Sequence, residues 1–245
     1  MPKFISLVDF DLSQLKDSIL ITGFQGFGLV GYLTTLHLVR ELKLRKIGFI
    51  KTKYMPDVTM YTKEHGLQYP FEVYFGNAGE HKVIIIVHNG TPIERERTSY
   101  AEYLATLAKQ FEVREVILVG GLSQELRDDP NEKYRWIPIN NTSIVFNDSK
   151  ILEERYVIGP LALAMMFIQA YGIRGAVILP FTEPFRPDPK AGAVAVEAIA
   201  RILGLSISVQ KLIDEAAIIE AIEAERAKIE KTIEDSERRS RLTYI

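Results

Sequence analysis

Hydrophobic and polar residues follow two alternating patterns along most of the first 205 residues. Short apolar runs rich in β-branched residues indicate strands, and spacings of three or four between apolar positions indicate helices. The predicted strands are Ser18–Thr22, Lys46–Lys51, Phe71–Phe75, Val83–Val87, Glu115–Val119 and Ala176–Leu179, and the predicted helices are Gly28–Leu42, Thr98–Phe111, Pro160–Tyr171 and Asp188–Leu203.

Apolar strands that alternate with helices favour an α/β fold, in which helices cover both faces of a mostly parallel central sheet in three α/β/α layers. Val83–Val87 is apolar throughout, which is typical of a strand buried on both faces. The stretch Leu122–Asn147 has few helix signals and contains the turn signal Asp128–Asn131. We interpret that stretch as an excursion from the sheet.

The composition changes after Gly204, because residues 205–245 contain neither glycine nor proline. From Val209 to Arg239 the pattern predicts one long helix with a narrow apolar stripe. The helix either packs on the core or packs with copies of itself. We therefore divide the chain into a core domain at residues 1–205, a helical extension at 206–240 and a projecting tail at 241–245. The residues of the stripe are Leu212, Ile219, Ile222, Ile229 and Ile233.

Charge and composition exclude several classes of protein. The 245 residues are 47% hydrophobic, and 30 basic against 32 acidic residues give a net charge of −2, without the basic excess expected of a nucleic-acid binder. Cysteine is absent, so no thiolate can serve as a nucleophile or metal ligand. The longest apolar run, Leu161–Ile168, is shorter than the roughly 20 residues that cross a bilayer. We expect a cytoplasmic protein with neither nucleic-acid nor membrane partners.

A glycine-rich segment follows the first predicted strand and contains G-x-G-x-x-G, the pattern of a dinucleotide-binding turn. The acidic residue that would hold a ribose about 20 positions later is missing from Phe49–Thr52, and no tyrosine is followed by lysine four positions later. We interpret the segment as a structural turn, and a nucleotide-binding enzyme remains the alternative. The glycines concerned are Gly23, Gly26, Gly28 and Gly31.

Other residues with catalytic potential lack the required spacing. Gly121–Glu125 resembles a serine nucleophile elbow, but Glu125 replaces its second glycine. The histidines show no metal-binding spacing. We expect no catalytic residue, no metal and no cofactor. The four histidines are His37, His65, His81 and His88.

Four segments, in their order along the chain, resemble the proteasome assembly chaperone family. They are Gly23–Gly31, Val83–Asn89, Val119–Gly121 and the pair Leu179-Pro180. The resemblance implies a three-layer α/β fold, no catalysis and binding to proteasome α-subunits. Archaeal members resemble homo-oligomeric activators or adaptors, which implies a tetramer or pentamer here.

Some members of that family carry a C-terminal tripeptide of hydrophobic residue, tyrosine and any residue, which enters pockets between α-subunits. Tyr244 matches the tyrosine and Ile245 the last residue, while Thr243 stands at the hydrophobic position and Leu242 precedes it. A tyrosine offers a flat apolar face and a hydroxyl, and a terminal carboxylate offers a charge. We expect Leu242, Thr243, Tyr244 and Ile245 to form the docking segment of a non-enzymatic proteasome partner. A scaffold that only oligomerises is a third hypothesis.

Overall fold

The computed structural model describes residues 1–63 and 66–225. The strands are β1 (Lys3–Ser6), β2 (Ile19–Gly23), β3 (Arg45–Lys51), β4 (Tyr61–Thr62), β5 (Gly66–Leu67), β6 (Phe71–Ala78), β7 (His81–His88), β8 (Glu115–Val119), β9 (Leu122–Ser123), β10 (Tyr134–Ile139) and β11 (Gly175–Thr182). The helices are α1 (Val30–Glu41), α2 (Arg97–Gln110), α3 (Pro160–Ala170), α4 (Pro189–Ile202) and α5 (residues 210–225). None of the helices in these ranges is both long and apolar enough to cross a membrane.

One sheet contains all the described strands except the pair β4–β5, and its order is β1-β3-β6-β7-β2-β8-β11-β10, with β9 beside β11. The central strands β7, β2, β8 and β11 are parallel neighbours. Antiparallel strands extend the sheet on both sides, with β6, β3 and β1 beyond β7 and β10 beyond β11. We call the side at which the central strands end the carboxyl edge. The loops that follow β2, β7, β8 and β11 meet there.

Helices cover both faces of the sheet. Helices α2 and α3 pack together on one face, and α1 and α4 pack together on the other. The β-branched residues of the central strands point alternately into the two cores: Ile84 and Ile86 into the first, Val83 and Ile85 into the second. The prediction of a three-layer α/β fold around a central parallel sheet is therefore confirmed.

The stretch Leu122–Asn147 does not leave the sheet, and that prediction was wrong. Leu122–Ser123 pairs with the end of β11, and Tyr134–Ile139 pairs in antiparallel register with its residues 175–180. The strand pattern of β10 is hidden because Arg135 and Pro138 interrupt it. Arg135 is 93% buried, and its guanidinium donates hydrogen bonds to Asp128 at 2.5 Å and to Glu132 at 3.0 Å. These two carboxylates supply the partners that a buried charge requires.

Helix α5 packs on the core of its own chain along one side. Leu212 and Ala216 are each 97% buried, and Leu212 belongs to the hydrophobic core between α1, α4 and the sheet. Ion pairs join Lys211 to Glu41 near the start of α5, and Lys190 to Glu220 near its end. Because Glu41 ends α1 and Lys190 begins α4, α5 runs along this face toward the carboxyl edge.

Candidate functional site

The glycine-rich segment lies at the carboxyl edge, where it brings α1 unusually close to the sheet. A Cβ atom at Gly23 would lie 2.6 Å from the Cα of Gly31 and 2.6 Å from the carbonyl oxygen of Val119. A Cβ atom at Gly31 would lie 2.7 Å from the amide nitrogen of Phe24. Contacts of this length leave no room for a side chain. The backbones of β2, α1 and β8 therefore meet at these two glycines.

The other two glycines of the segment differ in what they require. Gly28 has φ +60°, a left-handed conformation that side chains disfavour, and a Cβ there would collide with the Thr182 side chain. Leu29, the next residue, is also left-handed at φ +52°. A Cβ atom at Gly26 would meet nothing within 4 Å. Three of the four predicted positions thus need glycine for a physical reason, and Gly26 does not.

The backbone N–H groups that a bound phosphate would need already have partners within the chain. The N–H of Gly26 donates to the Phe24 carbonyl at 2.9 Å, that of Leu29 donates to the Gly26 carbonyl at 3.0 Å, and that of Gly28 donates to the Pro184 carbonyl at 3.4 Å. A dinucleotide turn instead points free N–H groups at the pyrophosphate. These contacts count against the nucleotide-binding alternative.

The proline-rich loop after β11 is hydrogen-bonded to this turn. Besides the contact at Pro184, the N–H of Asp188 donates to the Gly28 carbonyl at 2.9 Å. The Asp188 carboxylate accepts a hydrogen bond from Thr182 Oγ1 at 2.8 Å and from the N–H of Ala191 at 3.0 Å, which caps α4. Phe185, at the tip of the loop, is 98% exposed. The carboxyl ends of β2 and β11 are thus joined by paired backbone contacts.

A fully buried histidine supports the turn from the β7 side. His88 Nδ1 lies 3.0 Å from the Gly23 carbonyl oxygen, and its Nε2 lies 2.8 Å from the Tyr100 hydroxyl. The carbonyl can only accept, so Nδ1 carries the hydrogen and Nε2 accepts from Tyr100. Burial lowers the pKa of His88 to about 3, because a charged imidazole would lose its hydration there. His88 is therefore a neutral structural link between β7, β2 and α2.

The other candidate residues are held in separate contacts. His37 Nε2 donates to the Ser208 carbonyl at 2.7 Å, and Arg114 donates to His81 Nδ1 at 3.1 Å. Ser123 Oγ accepts from the N–H of Glu125 at 3.4 Å and caps a short turn. His65 lies outside the described residues. Within residues 1–63 and 66–225, no group of three His, Asp or Glu side chains could hold a metal ion.

An apolar crevice opens beside the glycine turn, between the loop after β2 and the loop after β8. It has a volume of about 260 Å³. Its walls are residues 24–27, 119–123, 156–161, Leu126 and Leu179. The sequence analysis did not predict this crevice, although a glycine at the end of each of two buried strands, Gly23 and Gly120, was a partial signal for it.

The predicted stripe on the C-terminal helix is divided between two environments. Leu212 is buried and Ile219 is half-buried, both facing the chain's own core, whereas Ile222 is 62% exposed. Ile218, four residues before Ile222, is 60% exposed and was not part of the prediction. The rest of the stripe and the predicted docking segment lie outside the described residues; these positions are Ile229, Ile233, Leu242, Thr243, Tyr244 and Ile245.

Comparison with known proteins places these features in context. The model of the PAC2 family matches residues 20–227. The uncharacterized protein MJ0106 of Methanocaldococcus jannaschii is 24% identical over 213 residues, which cover 84% of each chain. Pyrococcus furiosus PbaA, an archaeal homolog of proteasome-assembly chaperone, has a TM-score of 0.74 at 23% identity, covering 90% of this chain and 94% of its own. Pyrococcus furiosus PbaB, an archaeal proteasome activator, has a TM-score of 0.75 at 20% identity, covering 92% and 98%.

The close approach at Gly31 predicts a sharp difference between two glycine substitutions. We expect Gly31→Ala to lower the free energy of unfolding by at least about 2 kcal/mol, because the new methyl group forces the backbones of β2 and β8 away from α1. Gly26→Ala, the matched control, should change it by no more than about 0.5 kcal/mol. Urea unfolding of both variants provides the measurement. Equal effects would show that the contact of α1 with β2 and β8 at Gly31 tolerates a side chain.

The buried imidazole predicts a pH-dependent stability. An unfolded histidine has a pKa near 6.5, whereas the pKa of folded His88 is about 3. Between these two pH values the unfolded chain binds a proton at this residue and the folded chain does not. Stability therefore falls as the pH falls through this window, by about 2 kcal/mol between pH 7.5 and pH 5. Urea unfolding at both pH values tests this. In His88→Gln this contribution should disappear, and an unchanged pH dependence would exclude His88 as its source.

Proposed function

The chain belongs to the PAC2 family, and on this premise we propose that it is a non-enzymatic, cytoplasmic partner of the 20S proteasome α-ring, acting as an ATP-independent activator or assembly chaperone. The observation that carries the proposal is the family match over residues 20–227. It is supported by the likeness of the fold, over at least nine-tenths of the chain, to an assembly-chaperone homologue and to a proteasome activator.

The proposal assigns docking to Leu242, Thr243, Tyr244 and Ile245. Glu223 forms an ion pair with Arg186, which lies in the loop after β11, so the last described turn of α5 is at the carboxyl edge. Twenty residues, 226–245, follow this turn. Tyr244 offers an aromatic ring and a hydroxyl, which suit a pocket with an apolar wall and a polar rim.

The proposal also includes association of several copies, as a tetramer or pentamer. Ile218 and Ile222 are neighbours at i and i+4 on α5, and both are more than half exposed. Isoleucines so placed remove apolar surface from water when a second helix covers them. Several linked tails would then bind several pockets at once, which raises avidity by about 10²–10⁴ over a single weak contact.

We expect removal of residues 243–245, or Tyr244→Ala, to reduce capture of purified α-rings by at least tenfold, because the aromatic anchor is lost. Tyr156→Ala is the matched control, since Tyr156 is a tyrosine of the α/β domain that is 97% exposed. Circular dichroism checks that each variant folds. Undiminished capture by the truncated chain would overturn the assignment of the tail. Peptide hydrolysis by 20S particles, and assembly of isolated α-subunits, then separate an activator from an assembly chaperone.

The two exposed isoleucines of α5, Ile218 and Ile222, give a second test. Ile222→Glu should shift the mass measured by light scattering from that of an oligomer toward 27.8 kDa, the mass of one chain, because the charge would be buried between helices. Ile213→Glu, on another side of α5 and 39% exposed, serves as the control. An oligomer that is unaffected by Ile222→Glu would show that copies associate through another surface.

A further inference from the structure

The apolar crevice lies where the topology of the sheet leaves space for a ligand. From β2 the chain passes through α1 and strands β3 to β6 to reach β7 on one side, whereas from β8 it passes through β9, β10 and α3 to reach β11 on the other. β2 and β8 are parallel neighbours, and because the connections that leave them lead to opposite sides of the sheet, the loops that follow them diverge. A gap of this kind, beyond the carboxyl ends of two adjacent strands, is the preferred ligand position in open α/β sheets.

The crevice has a buried apolar floor and an exposed rim. Phe24, Val119 and Leu179 are each at least 96% buried and form part of its floor. At the rim, Tyr156 is 97% exposed and Ile158 is 69% exposed. The floor therefore belongs to the folded core, while the entrance is open to solvent.

The absence of charge on the described wall residues limits the charge that a ligand can carry. None of the described residues that line the crevice is charged; the polar side chains among them are Gln25, Ser123 and Tyr156. Transferring an ion from water into such surroundings without a partner is strongly unfavourable, whereas a hydroxyl or amide needs only one hydrogen bond. This counts against phosphates and carboxylates and favours a neutral molecule.

The size of the crevice limits the ligand further. A dry cavity of about 150 Å³ lined by apolar side chains is enough to bind benzene. At about 260 Å³ the present crevice has room for one substituted ring or an indole. A protein partner would need about 800 Å² of matched surface, which a recess for a single ring does not supply.

We propose that this crevice binds an uncharged small molecule with one aromatic ring system and at most one hydroxyl or amide group. The ring lies on the floor formed by Phe24, Val119 and Leu179, and the polar group lies near Ser123 or Gln25. The residues that line this site lie between positions 24 and 179 of the chain, and the proposal does not depend on the proposed binding to the α-ring.

The full chain is labelled at the methyl groups of leucine and valine. 4-Methylphenol and indole are then added in separate titrations, and the methyl signals are followed by NMR. We expect saturable shifts at Val119, Leu122 and Leu179 and none at Val145, which lies at the opposite edge of the sheet. Benzoate and adenosine monophosphate, which are charged, should bind at least tenfold more weakly. Shifts scattered over the surface, shifts that do not saturate, or equal binding of the charged probes would overturn the proposal.

Two matched variants test the position of the site. Val157→Asp places a carboxylate in the wall at a half-buried position, and we expect it to weaken binding of both neutral probes at least tenfold. Val145→Asp, at a position 61% exposed, should leave the affinity unchanged. Unchanged binding by Val157→Asp would overturn the assignment. Should Val157→Asp fail to fold, the map of methyl shifts in the unaltered chain decides the question alone.

Discussion

The carboxyl edge depends on the close approach of α1 to the ends of β2 and β8. This approach is possible only because Gly23 and Gly31 have no side chains at the crossing, where the Val119 carbonyl lies within 2.7 Å of both missing Cβ positions. Moving α1 outward would also separate Gly28 from its backbone partners at Pro184 and Asp188, because these contacts all lie within one turn of the crossing. One steric constraint thus fixes the positions of three strand ends.

The sequence predicted the central layers well because burial leaves a strong local pattern. Val83–Val87 is apolar at every position, since both of its faces are covered by helices. The edges were harder to predict. Lys3–Ser6 is a four-residue strand with two exposed ends, and Tyr134–Ile139 contains an arginine that is buried only because Asp128 and Glu132 neutralise it. These edge strands form because of contacts with residues elsewhere in the chain, and the pattern within a short stretch of sequence does not reveal such contacts.

The same difference between local and distant information governs the site. A G-x-G-x-x-G pattern specifies a tight turn, but it does not specify whether the N–H groups of that turn face a ligand or the protein. Here Pro184, more than 150 residues away along the chain, accepts the N–H of Gly28. The crevice was not predicted for a related reason: its walls come from four separate segments, and one of them, residues 156–161, has no recognisable motif.

Helix α5 is attached to the core by two unequal kinds of contact, and this difference bears on the proposed association of copies. Its first half is held by burial of Leu212 and Ala216, which removes apolar surface from water and is not weakened by electrostatic screening. In its described second half Ile219 is only half-buried, and the side chains of Glu220 and Glu223, which form ion pairs with the core, are 54% and 41% exposed. Ion pairs so exposed typically contribute less than about 1 kcal/mol each. The end of α5 can therefore change its contacts at little expense to the core. In the proposed association of copies, α5 would exchange these intrachain ion pairs for contacts with a second chain, while the close packing at Gly23 and Gly31 keeps the α/β domain unchanged.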